Sequence, residues 1–314
     1  MDQRSSPTPS ITAQDYRTLE VRNGDQSLRL TNLDKIFWPD EGFTKGDLLD
    51  YYLQIAPYLL PHLKDRPIVM VRYPDGIQGK SFYQKESPSF RPEWLTAVAI
   101  PSQHRGSPIS YCLIRDWMDL LWVINLGTIE LHPWLSQIGR LNHPTYMVFD
   151  LDPHESQSFS TVVEVALLVK EALDSFGLTS YPKTSGRSGL HIYVPLRPIY
   201  DYKTVRDCAI VLAQFIEKVD RRVTLKRSIK ERGNSLYLDC WQIGQGKTLA
   251  SVYSPRPLRG APVSTPLHWS EVTSKVKPSS FSIKTVSERV SQKGDFFAPT
   301  IKEKNSLTHL LEFI

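Results

Sequence analysis

An apolar run that ends in two carboxylates constrains this chain more than any other feature. Tyr146, Met147, Val148 and Phe149 have the composition of a buried strand, and Asp150, Leu151, Asp152 and Pro153 follow at once. Side chains alternate across a strand, so Asp150 and Asp152 share one face while Leu151 turns to the other. Two like charges so placed repel each other unless water, a basic side chain or a cation stands between them. Carboxylate oxygens are the hard ligands that a divalent cation prefers. A solvated strand end before an Asp–Pro turn explains the same letters, so the rest of the chain has to decide.

Its 314 residues, 40% of them hydrophobic, suffice for one large domain or two small ones. The net charge of +5 is compatible with nucleic acid without requiring it. Cys112, Cys208 and Cys240 lie too far apart for a zinc pattern and read as reduced thiols. No apolar run approaches the roughly 20 residues of a membrane span, and the N-terminus lacks a basic-then-apolar signal pattern. The expectation is a soluble, cytoplasmic protein with no membrane association.

Residues 1–24 are polar and read as a flexible arm, residues 25–300 as a single unit, and residues 301–314 as a tail. Thr44 is placed to cap a helix whose stripe is Leu48, Leu49, Tyr52, Ile55 and Leu59. "RPIVMVRYP", "LHIYVPL", "SLYLDCW" and "TLASVY" read as strands. "SFSTVVEVALLVKEALDSFGL", capped by Ser158 or Ser160 and closed by Gly177, and "YKTVRDCAIVLAQFIEKV" read as amphipathic helices. The apolar stretch Tyr111 to Trp134 reads as a helix in its second half. From about Ser270 the chain grows rich in Ser and Lys, and order is expected to weaken. Strands and helices mixed in this way predict an α/β or α+β unit.

Four further segments carry chemistry. In "KTSGRSGLHIYVPL", Gly186 and Gly189 frame a tight loop whose N–H groups can approach an anion, and His191 opens the next strand. In "RGNSLYLDCWQ", Asp239 ends a strand as Asp150 does and would complete an oxygen cage. "GKTLASVYSPRPLRG" supplies Lys247, Arg256 and Arg259; it is no phosphate-binding P-loop, because Trp241 stands where that pattern needs a glycine. In "LTNLDKIFWPDEGFTKGD", Lys35 and Lys45 flank an aromatic turn. Acidic strand ends, a glycine-rich loop and basic side chains together suggest metal-assisted phosphoryl chemistry. Spacing alone leaves polymerase, nuclease and phosphatase open.

Taken in order, "LTNLDKIFWP", "TKGDLLDYY", "RYPDG", "IELHPW", "FDLDP", "TSGRSGLHIYVPL", "YLDCWQ" and "VYSPRP...GAPVSTPLHW" resemble the polymerase domain of bacterial DNA ligase D over residues 27–275. That domain belongs to the archaeo-eukaryotic primase superfamily and serves non-homologous end joining. The resemblance implies an α+β fold of mixed and antiparallel sheets with flanking helices, and a primase-like nucleotidyltransferase. It implies template-dependent primer extension and gap filling at double-strand-break ends, with a preference for ribonucleotides. Asp150, Asp152 and Asp239 would be catalytic and hold two divalent ions, manganese or magnesium. Ser185, His191, Arg256, His132, Arg232 and Lys247 would bind the NTP or dNTP. Lys35, Lys45 and Asn32 would hold a downstream 5′-phosphate, and Phe82, Tyr83 and Arg72 would meet the template. Implied partners are DNA ends, gapped DNA, Ku and a ligase. No K-x-D-G adenylation motif occurs in the sequence, so the ligase is expected to be a separate protein. The setting would be the nucleoid.

The match has departures. Ile243 follows Gln242 where the family often has Asn, Tyr83 replaces a common Phe, and Pro255 precedes Arg256 in place of an aliphatic residue. None of them removes an acidic residue. A metal-dependent nuclease or phosphodiesterase would use the same carboxylates, and a non-catalytic end-binding module would need none of them.

Overall fold

A computed structural model describes residues 17–102 and 105–314. Thr44 starts the first long helix, α1 (Lys45–Leu63), with a reciprocal cap. Its hydroxyl accepts from the Asp47 N–H, and the Asp47 carboxylate accepts from the Thr44 N–H. The predicted stripe of Leu48, Leu49, Tyr52, Ile55 and Leu59 is fully buried.

Ahead of α1 stand two small hairpins. The first joins β1 (Thr18–Asn23) to β2 (Gln26–Thr31), and the second joins β3 (Ile36–Trp38) to β4 (Phe43–Thr44). The expected arm over residues 1–24 is corrected in its second part. Leu19 pairs with Leu30 and Val21 with Leu28, and Gly24 turns the chain at φ 58°. This short apolar alternation was hidden among polar neighbours. The rest of the arm, residues 1–16, lies outside the described residues.

The N-terminal sheet contains β5 (Ile68–Arg72), β6 (Phe82–Gln84), β7 (Ala97–Ile100), β8 (Ile109–Cys112) and β9 (Thr128–Pro133). β5 pairs with β6, β8 and β9, all antiparallel. Helix α2 (Trp117–Asn125) packs between α1 and β9. The expected helix in the second half of Tyr111 to Trp134 is therefore displaced. Asp116 caps α2 early, accepting from the Met118 and Asp119 N–H groups, and Gly127 at φ 80° ends it. Most of the second half is strand β9 instead.

The second sheet has the order β11-β12-β10-β14-β13. Its strands are β10 (Tyr146–Asp152), β11 (Tyr181–Thr184), β12 (Leu190–Pro195), β13 (Val223–Thr224) and β14 (Leu236–Asp239). Only β13–β14 is parallel. The strand that ends in two aspartates is thus the middle of its sheet. Helices α3 (Phe159–Ser175) and α4 (Tyr202–Val219) pack on each other and on β10. A short α5 (Ile229–Arg232) precedes β14. Arg66 ties the halves together from inside: it donates to the carbonyls of His62, Trp134 and Leu135 and to Thr145 Oγ1, and lies 4.8 Å over the Tyr146 ring.

Three expectations about the C-terminal third are corrected. "TLASVY" is buried but not a strand, because Tyr253 takes a left-handed φ of 63° and only Thr248 makes an isolated pairing, with Trp134. Beyond Ser270 the chain stays ordered through α6 (Val286–Lys293), with Val272, Ile283, Val286, Val290 and Phe297 buried. Residues 301–314 are not a loose tail. After α7 (Pro299–Lys302), Asn305 hydrogen-bonds Pro195 and Thr179, and Leu307 and Leu310 enter the core beside α8 (Thr308–Leu311). Leucines spaced for one helical turn were enough to anchor a polar segment.

The C-terminal segments hold the first helix and the β3–β4 hairpin before it. Tyr51 Oη donates to the Tyr253 carbonyl at 2.8 Å, Trp38 Nε1 to the Leu258 carbonyl at 3.0 Å, and His62 Nε2 lies 3.0 Å from the Asp295 carboxylate.

Candidate active site

Register places one row of ionisable side chains across four strands. Lys183 on β11 pairs with His191 on β12, His191 with Asp150 on β10, and Asp150 with Asp239 on β14. Cross-strand partners point to the same face, so all four face one way, joined by Asp152 two residues along. Lys183 Nζ is 2.8 Å from His191 Nδ1, and His191 Nε2 is 3.3 Å from an Asp150 oxygen. Asp239 accepts from the Trp241 N–H at 2.6 Å and from Gln242 Nε2 at 3.1 Å. Arg232 reaches Asp152 at 3.5 Å and lies 3.6 Å over the Tyr237 ring.

The three carboxylates are not equivalent. Burial opposes ionisation of Asp150, but His191, Lys183 and Arg256 outweigh it and its pKa is lowered. Asp152 and Asp239 are pushed up, first by burial and then by the charge of Asp150, against the pull of Arg232 on Asp152 and of the Trp241 N–H on Asp239. Among the described residues no three His, Cys, Asp or Glu side chains form a ready-made metal group. The aspartates offer hard oxygens on adjoining strands, and their mutual repulsion is what a cation would relieve; the set fits a divalent ion as an open site.

Asp150, Asp152 and His191 of this row line a cavity of about 350 Å³. The glycine-rich loop between β11 and β12 forms one wall. Ser185 Oγ accepts from the N–H groups of Arg187 and Gly189, which fixes the loop and leaves the hydroxyl hydrogen free to donate. A Cβ on Gly186 would fall 2.5 Å from Arg256 Cγ, and one on Gly189 only 2.0 Å from the Leu151 carbonyl oxygen. Gly189→Ala must therefore push the loop off β10. We expect a loss of about 1–3 kcal/mol in urea unfolding, the range for overpacking, together with weakened activity.

The facing wall is built on Glu130, which sequence reasoning missed. Its carboxylate lies 2.7 Å from His132 Nε2, 3.0 Å from Arg256 Nη1 and 4.0 Å from Arg187 Nη2. Burial would raise its pKa, but these three groups lower it on balance. Glu130 thus aims both His132 and Arg256, and Pro255 has not turned Arg256 out of the cavity. His132 Nδ1 and Arg256 Nε are buried without hydrogen-bond partners. Tyr83 stands edge-on to His132, with ring centroids 5.8 Å apart.

Not every expected residue joins this cavity. Lys247 Nζ donates to the Trp241 carbonyl at 2.6 Å, and the side chain lines a neighbouring cleft with Lys85 and Tyr111. Its side chain is drawn back over its own loop and does not line the acidic cavity. Phe82 and Tyr83 also separate, because neighbours on a strand face opposite ways. Tyr83 borders the acidic cavity, whereas Phe82 stacks under Arg72 at 5.1 Å.

Arg72 leads to a second cavity of about 290 Å³, shared with Asn32, Lys35, Lys45 and Asn125. The Lys45 N–H donates to the Lys35 carbonyl at 2.8 Å, closing the β3–β4 hairpin between the two lysines. Lys35 Nζ pairs with Asp75 at 2.5 Å. Lys45 is buried rather than on the surface. Its ammonium donates to Thr31 O at 2.7 Å and to Asn125 Oδ1 at 2.8 Å, which leaves one hydrogen of three. Burial, then Lys35 and Arg72, lower its pKa to about 8.

The second missed residue is Lys183. Both omissions had a signal. Glu130 and His132 are two apart on a strand, hence on one face, and a hairpin closed by the glycine-rich loop puts Lys183 opposite His191.

Comparison with known proteins gives a consistent result. The family model "LigD, primase-polymerase domain" matches residues 44–297. The chain is 35% identical over 292 residues to the bifunctional non-homologous end joining protein LigD of Bacillus subtilis, a match covering 91% of the chain and 47% of that protein. It is 32% identical over 278 residues to the multifunctional non-homologous end joining protein LigD of Mycolicibacterium smegmatis, covering 87% and 36%. The chain therefore spans about half the length of the first relative and about a third of the second. Among solved structures it is similar to the polymerase domain of Mycobacterium tuberculosis ligase D in complex with DNA. The TM-score is 0.82 at 28% identity, covering 88% of this chain and 99% of that one.

Proposed function

The chain belongs to the LigD primase-polymerase domain family of nucleotidyltransferases, and on that premise we propose that it fills gaps at broken DNA ends. It extends a primer opposite a template while gripping the 5′-phosphate of the strand beyond the gap, and it favours ribonucleotides. The observation that carries this reading is the pairing of two cavities. One is acidic and ringed by anion donors, and the other is basic, with a buried lysine that keeps one donor free.

Asp150, Asp152 and Asp239 would hold divalent cations, two of them, manganese or magnesium. When bound, such ions offset the carboxylate repulsion and make a primer 3′-hydroxyl more acidic, readying it for attack on the α-phosphate. An open set of carboxylate oxygens suits a hard divalent ion. The chain's own residues do the rest. His191, Ser185 and Arg256 donate to the triphosphate, and Arg232 steadies Asp152. The unpartnered Nδ1 of His132 suits a sugar hydroxyl, which supports the ribonucleotide preference. Phe82, held by Arg72, offers a stacking face to a template base. Ku and a separate ligase are the partners this role requires.

The test is primer extension on a gapped duplex with manganese. Pyrophosphate should appear only when template, primer and NTP are all present. Nucleotide release from the primer without NTP would favour the nuclease reading instead.

The basic cavity carries its own prediction. Charge-assisted contacts from Lys35 and Lys45 should give about a tenfold or larger preference for a gapped duplex bearing a 5′-phosphate over one with a 5′-hydroxyl. The preference should shrink as salt rises and vanish in the Lys35→Ala/Lys45→Ala double variant. Because the Lys45 pKa is lowered to about 8, its charge is present below that pH and lost above it. The preference should therefore be full near pH 6.5 and fade toward pH 9. Fluorescence anisotropy decides, and equal affinities at pH 6.5 would leave both lysines without this role.

A further inference from the structure

We propose that Lys183 is a positioning residue that fixes His191 as a hydrogen donor at Nε2, by donating to Nδ1 from a buried ammonium group. The catalytic consequence rests on the nucleotidyl-transfer reading, but the geometry does not.

The hydrogens around Nζ fix the direction of the bond. Lys183 is fully buried, and its Nζ has three neighbours: His191 Nδ1 at 2.8 Å, the Ala250 carbonyl at 3.1 Å and Ser264 Oγ at 2.5 Å. The carbonyl can only accept. Ser264 has one hydroxyl hydrogen, already donated to the Thr184 carbonyl at 2.7 Å, so toward Lys183 it too accepts. The third neighbour decides the state of the amine. A neutral amine would accept from an Nδ1–H, and neutral His191 would then turn a bare Nε2 toward Asp150, an acceptor 3.3 Å away. Two lone pairs would face each other in a buried site. With an ammonium, all three hydrogens find acceptors, Nδ1 is saturated, and Nε2 carries the proton toward the cavity. The Tyr193 ring, 5.5 Å from Nζ, adds a face suited to a cation.

Burial works against this charge, and it lowers the Lys183 pKa well below the usual lysine value while Asp150 pulls it back up. Burial and the Lys183 charge lower that of His191 to about 4. An alkyl amine is ordinarily a stronger base than imidazole by about four pKa units, so the one proton these two buried groups share rests on the lysine. His191 is thereby kept a neutral donor, which suits it to anionic phosphate oxygens without a second positive charge beside Lys183.

The measurement is a two-bond ¹H–¹⁵N correlation spectrum of the wild-type protein labelled at histidine, without nucleotide, with His191 assigned by its loss in His191→Gln. A protonated Nε2 with a bare Nδ1 is expected, and an Nδ1–H tautomer overturns the proposal. Folded Lys183→Met should show mixed tautomers and a KM for NTP raised about tenfold or more, with the Kd for gapped DNA unchanged. Lys183→Gln, which keeps an N–H for Nδ1, should recover part of that KM. An unchanged tautomer and KM in Lys183→Met would also overturn it. If that variant does not fold, the wild-type spectrum still decides. A wild-type protein without polymerase activity would sink the functional reading while leaving the tautomer result standing.

Discussion

Asp239→Asn should abolish nucleotide addition and at the same time make the metal-free protein more stable. With Asp239 in its proposed role of holding a divalent ion, the substitution is expected to cost about three orders of magnitude or more in rate. The stability effect follows from the raised pKa. Asp239 binds its proton more tightly in the folded chain, because of burial and the nearby Asp150 charge. Such a group favours folding at low pH and opposes it as pH rises through the folded pKa. At pH 7 without divalent ions the carboxylate therefore destabilises the fold, and an amide there relieves the repulsion while still accepting from the Trp241 N–H. Thermal unfolding at pH 7 without divalent ions should give a higher Tm than wild type, with the gap closing toward pH 4. Manganese should then raise the wild-type Tm and leave that of the variant nearly unmoved. Robust extension by the variant at saturating manganese would refute the assignment, and a lowered Tm would refute the electrostatic account.

Glu130→Ala should be the most damaging single change for stability. It leaves Arg256 and His132 buried without their shared counter-charge, and removing one partner of a buried ion pair typically costs about 3–5 kcal/mol. Urea unfolding measures this directly. Glu130→Gln separates support from folding: the amide keeps the shape and one acceptor, so the fold should survive while Arg256 loses its aim and the KM for NTP rises. A Glu130→Ala protein as stable and as active as wild type would mean that the facing wall is held by something else.

The acidic residues could be read from sequence because strand ends announce themselves: an apolar run, then a carboxylate, twice over. Their arrangement could not. That Asp150 sits between His191 and Asp239 is a matter of pairing across β12, β10 and β14, and sequence order contains no strand order. The same limit explains Lys247. Its number lies near the site, but its stem folds back onto Trp241. Lys45 illustrates a different gap. The turn was legible from its aromatics and proline, but not the burial, because Asn125 and Thr31 come from other elements to satisfy the ammonium. The irregular course around Tyr253 was hidden for a local reason: its letters suit a strand, and only tertiary contacts select a left-handed φ.

The hold of the last third of the chain on α1 has a consequence for how the protein is made. Tyr51 must wait for Tyr253, a partner 202 residues later. At the usual translation speeds of about 5–20 residues per second, that wait is roughly 10–40 s. Throughout it the first sheet and its helix can assemble, but the side that receives Tyr253, Leu258 and Asp295 stays open to water. The two halves cannot mature one after the other as independent units. A nascent chain of this kind presents an unfinished surface at the ribosome until residues 253–295 have emerged.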